Sequence, residues 1–349
     1  MLRCKKILRD EIGSEFWDIP TIEIDNKIFS QKTKWFISGT AALEYILANI
    51  KKEKEVKTVA LPSWCCSCMI TPFLKNKIEV KFYSVYLNNE KKLVCDYTKV
   101  DKCDIYLLIS YFGYTTQKNI GSPTGIIIRD ITHSIFSKSY TDADYYFGSL
   151  RKWAGFWTGG YAWSNKEWNK NIVIENLNKE YIEIREKAMR DKIDYLYGKS
   201  NSKKYLDLFN QAEEYLDHCD IVSGCERDKE LAHKMDVQFI KNQRCNNARI
   251  LLNELKDIAI FSEITNEDCP LFVPIILPNY KRNLLRKYLI EHEVYCPVHW
   301  EETKLHNLNF ETRKLYEEEL SIICDQRYNE RDMERIVKLI KEFSEKLKI

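Results

Sequence analysis

Short apolar blocks alternate with stretches of helical apolar spacing through roughly the first half of this chain, and the alternation predicts a layered α/β fold. After an irregular arm of about 30 residues, Lys34-Trp35-Phe36-Ile37 predicts a strand that closes at Ser38-Gly39-Thr40. Residues 41–50 then carry apolar positions at helical spacing and run into a Lys/Glu-rich end. Thr58-Val59-Ala60-Leu61 predicts a second strand, stopped by Pro62-Ser63, with a helix pattern through Phe73-Leu74. Residues 79–85 alternate as a third strand. Residues 105–110 and 125–130 are continuous apolar runs of the kind found in strands buried on both faces. Strands alternating with helices imply a largely parallel sheet.

From about Trp168 the pattern becomes one long, charged, amphipathic helix reaching roughly to Leu216. The final third sets Pro270, Pro274, Pro278 and Pro297 around Leu271-Phe272-Val273 and Ile275-Ile276-Leu277, with helices predicted over 280–291 and 332–347. That mixture predicts a smaller α+β domain. The expected division is a large α/β domain with the arm over 1–235 and a small domain over 236–349. The sequence shows no internal repeat, heptad array or low-complexity tract.

Composition narrows the function. The 349 residues carry 54 Lys+Arg against 52 Asp+Glu, a formal net charge of +2, which argues against a general polyanion binder and so against nucleic acid. Hydrophobic content of 44% excludes wholesale disorder. No apolar run reaches the ~18 residues of a membrane span, and Met1-Leu2-Arg3-Cys4-Lys5-Lys6 leads into no signal-peptide core, so a soluble, cytoplasmic protein is expected. The 12 cysteines then read as free thiols. Glycine is scarce at 11, yet seven of these fall between Gly113 and Gly160, where close backbone is evidently needed.

Four segments put small or polar groups where an open α/β sheet collects ligands, beyond the carboxyl ends of its strands. Ser38-Gly39-Thr40 opens a helix, and amides at a helix start beside a hydroxyl make an anion site, although the same residues also serve as an ordinary cap. Asp130 ends a buried strand with His133 three residues on; it reads either as a carboxylate awaiting a cation or as a helix cap. Ser149-Leu150-Arg151-Lys152-Trp153 follows an aromatic run, so Lys152 is either a nucleophilic lysine among aromatics or a surface lysine. Gly159-Gly160 makes a tight turn into a further strand.

In their order and spacing these segments resemble the DegT–DnrJ type of sugar aminotransferases, which are fold-type I pyridoxal-phosphate enzymes. The resemblance spans about Trp35 to Trp163 and is looser over the C-terminal third, where 270–278 and Tyr295-Cys296-Pro297-Val298-His299-Trp300 look like that family's small-domain strands. It implies a large α/β/α domain with a mostly parallel sheet, plus a small α+β domain. It also implies that Lys152 links covalently to the cofactor and shuttles a proton, that Asp130 binds the pyridine nitrogen, and that His133 bonds the phenolic oxygen. Gly39, Thr40 and Ser149 would hold the phosphate. Where the family has an aromatic over the cofactor ring, the register gives Cys66, so stacking is lost or comes from another residue such as Trp64 or Tyr111.

Two further departures stand out. The stretch from Asp144 to Lys152 is shorter than the family's by about two residues, and the Asn-rich loop that completes a neighbouring subunit's phosphate site has no match after Gly160. The expected activity is transfer of an amino group from an amino acid such as glutamate to a keto sugar, nucleotide-linked, for surface polysaccharide, lipopolysaccharide or glycoconjugate synthesis, in a homodimer. A sugar dehydratase or lyase on the same cofactor, and a member that only binds a sugar nucleotide or a partner protein, are the alternatives. Cys65-x-x-Cys68 and Cys296-x-x-His299 can be assembled into a metal site on paper, but free cysteines are by default small buried hydrophobes and no metal is expected.

Overall fold

The computed structural model describes residues 9–100, 102–138, 143–217, 219–278, 280–306 and 308–346; Met1–Lys6 and the last residue of the predicted 332–347 helix lie outside them. In chain order the first elements are β1 (Ile12–Gly13), β2 (Lys34–Phe36), α1 (Gly39–Glu53), β3 (Thr58–Pro62), α2 (Ser67–Lys75), β4 (Glu79–Leu87) and β5 (Leu93–Asp96). Then come β6 (Ile105–Ile109), β7 (Lys118–Ile120), β8 (Ile126–Asp130), β9 (Tyr145–Ser149) and β10 (Gly160–Ser164). Helices α3 (Lys179–Leu196), α4 (Tyr205–Leu216), α5 (Glu226–His233) and α6 (Val237–Leu255) follow. The chain ends with β11 (Phe272–Ile276), α7 (Lys281–Glu291), β12 (Val294–Tyr295), α8 (Phe310–Glu318), β13 (Glu319–Ile323) and α9 (Glu330–Lys346).

Nine strands form one sheet in the order β2-β10-β9-β8-β6-β3-β4-β5-β7. The run β9-β8-β6-β3-β4 is parallel throughout, whereas β10 lies antiparallel to both β9 and β2. Every residue of β6 and of β9 is buried, which is why their sequences carry no polar alternation. Helix α1 packs on β2, β9 and β10, and α2 on β4. The edge strand β7 is short and polar, a composition that discourages further pairing.

A second apolar core lies in the C-terminal part. It joins Ala248 and Leu251 of α6, Val273 of β11, Leu285 of α7, Ile322 of β13 and Ile336 of α9. Ile12 belongs to it as well, because β1 pairs in parallel with β12 and ties the N-terminal arm to this part of the molecule.

Two expectations are corrected. The long helix predicted from Trp168 to Leu216 is two helices, α3 and α4, preceded by an irregular stretch. Gly198 takes a φ of 71°, a left-handed conformation that ends α3 just beyond its cap at Tyr197. Residues 295–300 are not a strand beyond Tyr295, because Pro297 has no N–H to offer a ladder and His299 packs against His133 and Trp64 instead.

Candidate active site

The carboxyl ends of β8 and β9 face the start of α1, and the three together build the site. Ser38 caps α1, its hydroxyl accepting from the Ala41 N–H at 3.1 Å. The amides of Gly39 and Thr40 are then first-turn donors that the helix itself does not satisfy. A Cβ on Gly39 would stand 3.5 Å from the Gly148 carbonyl and 3.6 Å from Ser149 Cβ, so this turn abuts the end of β9. Ser149 is buried there, and its Oγ has no hydrogen-bond partner.

Asp130 is 2% exposed at the end of β8. It accepts from the Thr132 N–H at 2.7 Å and forms no ion pair among the described residues. Burial pushes its carboxyl up to about 6, against the pull of the Thr132 hydrogen bonds and of the Lys152 charge. His133 is buried with an unpartnered Nδ1; burial, then Lys152, hold it down at about 3, so the imidazole is neutral. The turn between them is pinned, since the Trp153 indole N–H donates to the Thr132 carbonyl at 2.7 Å.

Lys152 ends a single 3-10 turn, Leu150–Lys152, directly after β9. The Leu150 N–H donates to the Gly159 carbonyl at 2.8 Å, so the glycine turn anticipated from sequence holds the lysine turn in place. Gly159 takes a φ of 88°, and a Cβ on Gly160 would meet the Ser38 carbonyl at 2.1 Å, so both glycines are required. The Lys152 side chain is exposed, with no hydrogen bond or ion pair among the described residues. Its charge bears on Asp130, His133, His299, Cys66 and Glu213.

A cavity of ≈ 450 Å³ opens beside Lys152, between the N-terminal arm, α4, α6 and α7. On its wall Arg151 makes a two-pronged pair with Glu213, and Arg327 makes one with Asp325 at 2.8 Å. Lys152, Arg244 and Arg286 line it without a carboxylate partner among the described residues. Arg244 is wholly buried: its Nε donates to Gln326 Oε1 at 2.7 Å, Nη1 donates to the Leu271 carbonyl at 2.8 Å, and Nη2 has no partner.

Neither residue proposed from sequence to replace the stacking aromatic has a free face. Trp64 and Tyr111 are fully buried and stack on each other at 5.1 Å, the Tyr111 hydroxyl donating to the Trp64 carbonyl at 2.6 Å. The aromatic that lies nearly parallel to His133, at 5.8 Å, is the half-buried Trp300. Behind it His299 contacts His133 edge-on at 5.2 Å and bonds Ser321 Oγ through Nδ1 at 2.8 Å. The Ser321 hydroxyl in turn donates to Glu319, whose second oxygen accepts the His299 N–H at 2.7 Å. Glu319 is wholly buried, which pushes it up to about 8. Arg244, Trp300 and the His299–Glu319 set were not singled out as site residues from sequence. Trp300 and His299 lie in a run the sequence marked, but Arg244 is one basic residue among many on a charged helix. Among the described residues no three His, Cys, Asp or Glu side chains converge as a metal site.

No family model matches the chain, and no curated protein matches it. Solved structures do. PseC of Helicobacter pylori, an aminotransferase involved in the biosynthesis of pseudoaminic acid, is 12% identical, with 95% of this chain and 100% of that chain covered and a TM-score of 0.62. The sugar aminotransferase CalS13 of Micromonospora echinospora is 13% identical over 89% of this chain and 87% of that chain, with a TM-score of 0.57. A DegT DnrJ EryC1 StrS aminotransferase from Brucella abortus is 15% identical over 89% and 85%, with a TM-score of 0.56. The chain thus has the fold-type I architecture of these aminotransferases.

The residues present fit pyridoxal phosphate. A helix start with an orphaned serine hydroxyl suits a dianion, a buried carboxylate without a cation suits a pyridinium N–H, and an orphaned neutral imidazole suits a phenolic oxygen.

Proposed function

We propose that the chain is a pyridoxal-phosphate-dependent aminotransferase that converts a keto sugar, nucleotide-linked, to an amino sugar with an amino acid such as glutamate as donor. It acts in the cytoplasm as a homodimer and supplies the synthesis of surface polysaccharide or glycoconjugate. What carries the reading is one observation: Asp130, a buried carboxylate with no ion pair among the described residues, and two orphaned atoms, His133 Nδ1 and Ser149 Oγ, lie at the ends of β8 and β9, where Lys152 has no partner of its own.

When bound, the cofactor supplies an electron-accepting ring and carries the amino group between two half-reactions. Asp130 would hold a proton on the ring nitrogen, a task for which its lack of any other cation suits it. His133 would donate an N–H to the phenolic oxygen. Gly39, Thr40 and Ser149 would retain the phosphate. Lys152 Nζ would anchor the cofactor and serve as the group that moves the proton from the donor's α-carbon. The cations of the cavity wall, Arg244 and Arg286, suit substrates that bear acid groups, and both the donor carboxylates and a sugar-linked diphosphate qualify.

The test is spectroscopic. Protein purified with pyridoxal phosphate should be yellow, and glutamate should bleach the band, which a nucleotide-linked keto sugar should then restore. A colourless protein that ignores the cofactor would remove the enzyme reading. A sugar that is dehydrated rather than aminated would favour the dehydratase.

A further inference from the structure

Cys66 and Cys68 face each other at the start of α2, within reach of the Lys152 charge. Cys66 is the last extended residue before α2, at φ −73° and ψ 142°, and Cys68 lies in the helix's first turn. Their sulfurs stand 2.8 Å apart, with the Cys68 S–H donating to Cys66. The two sulfurs are therefore in direct contact, as an exchange pair requires.

The flanks hold this arrangement. The Tyr316 hydroxyl donates to the Ser63 and Cys65 carbonyls at 2.9 and 3.0 Å and accepts the Cys65 N–H at 3.0 Å. The Trp64 indole donates to the His299 carbonyl at 2.6 Å. The chain is therefore clamped up to Cys66 on one side and helical from Ser67 on the other. Cys66 is half-buried and Cys68 exposed, whereas Cys65, Cys95, Cys269, Cys296 and Cys324 are buried. The hydrogen bond from Cys68, with the Lys152 charge beside it, holds the Cys66 thiol below its ordinary value, and a helix start adds to that effect.

We propose that Cys66 and Cys68 form a thiol–disulfide exchange site, open to a low-molecular-weight disulfide such as glutathione disulfide. The Cys66 thiolate attacks one sulfur of the oxidant and expels a thiolate, leaving a mixed disulfide. Cys68 gives up its proton and attacks the Cys66 sulfur, expelling the second thiolate. Two electrons pass from the cysteine sulfurs to the oxidant, which leaves as two thiol equivalents, one of them carrying the Cys68 proton. Oxidation removes a negative charge from beside Lys152 and Asp130. This last consequence alone rests on the cofactor reading above.

The experiment exposes the full, folded chain to glutathione disulfide and maps the peptides by mass. The expected product is a Cys66–Cys68 link, lighter by two hydrogens, formed before the buried thiols react. Cys68→Ser should trap glutathione on Cys66, and Cys66→Ser should leave Cys68 unable to form any link within α2. Free Cys66 and Cys68 after other thiols have reacted, or a Cys68→Ser protein that leaves Cys66 unmodified, would overturn the site. With pyridoxal phosphate bound, oxidation should move the pH midpoint of the visible band downward; an unmoved midpoint would overturn the coupling. A protein that never takes up the cofactor still yields the peptide map, so the two readings fail separately.

Discussion

Asp130 gives the most quantitative handle on the site. Its carboxyl titrates at 3.8 when unfolded and at about 6 when folded, chiefly through burial. Between those values the folded chain binds more protons than the unfolded one, so cofactor-free stability falls as pH rises from about 4 to about 6 and then levels off. At about 1.4 kcal/mol per pKa unit, the deficit is about 1.5 kcal/mol at pH 5 and about 3 kcal/mol at pH 8. Asparagine keeps the oxygen that accepts from the Thr132 N–H and carries no charge. Asp130→Asn should therefore gain about 1.5 kcal/mol over the unsubstituted protein between pH 5 and pH 8. His133 titrates in the opposite sense, but it is present in both proteins and cancels from the comparison. Urea unfolding of the two cofactor-free proteins at pH 5 and pH 8 measures the quantity, and a cofactor titration should show the variant binding pyridoxal phosphate more weakly. A difference independent of pH, or one that turns against asparagine at high pH, would refute the argument that Asp130 is a charge kept waiting for a cation.

Other substitutions test other parts. Glu319, raised from 4.5 to about 8 by burial, costs stability as pH climbs through that window, so Glu319→Gln should flatten the pH dependence of thermal unfolding between pH 5 and pH 9. Ser149→Ala removes a hydroxyl with no partner in the protein; it should leave cofactor-free stability within about 0.5 kcal/mol and weaken cofactor binding by roughly tenfold or more in an equilibrium titration. Gly160→Ala would drive a methyl into the Ser38 carbonyl and should cost about 2 kcal/mol or more in chemical unfolding, displacing the cap of α1.

Local signals carried much of the fold. The uninterrupted apolar run of β6 declared burial on both faces, and Ser38-Gly39-Thr40, Asp130-x-x-His133 and Gly159-Gly160 marked strand ends that the structure brings to one place. The break between α3 and α4 was hidden because amphipathic spacing persists around it, and only Gly198 announces the turn. The resemblance made residues 295–300 a strand, yet Pro297 and the packing of His299 against Trp64 and His133 override it. Arg244 with Gln326, and His299 with Ser321 and Glu319, join residues 82, 22 and 20 positions apart through packing between distant elements, which no short window reveals. Cys66 is a different case: the register compared it with an aromatic over the cofactor ring, and that comparison gave no hint of its contact with Cys68.

The attachment point decides the central claim. Protein loaded with pyridoxal phosphate, reduced with borohydride and digested, should carry the cofactor on the peptide containing Lys152, and Lys152→Ala should carry none. Cofactor found on another lysine, or a reducible adduct that survives Lys152→Ala, would contradict the account.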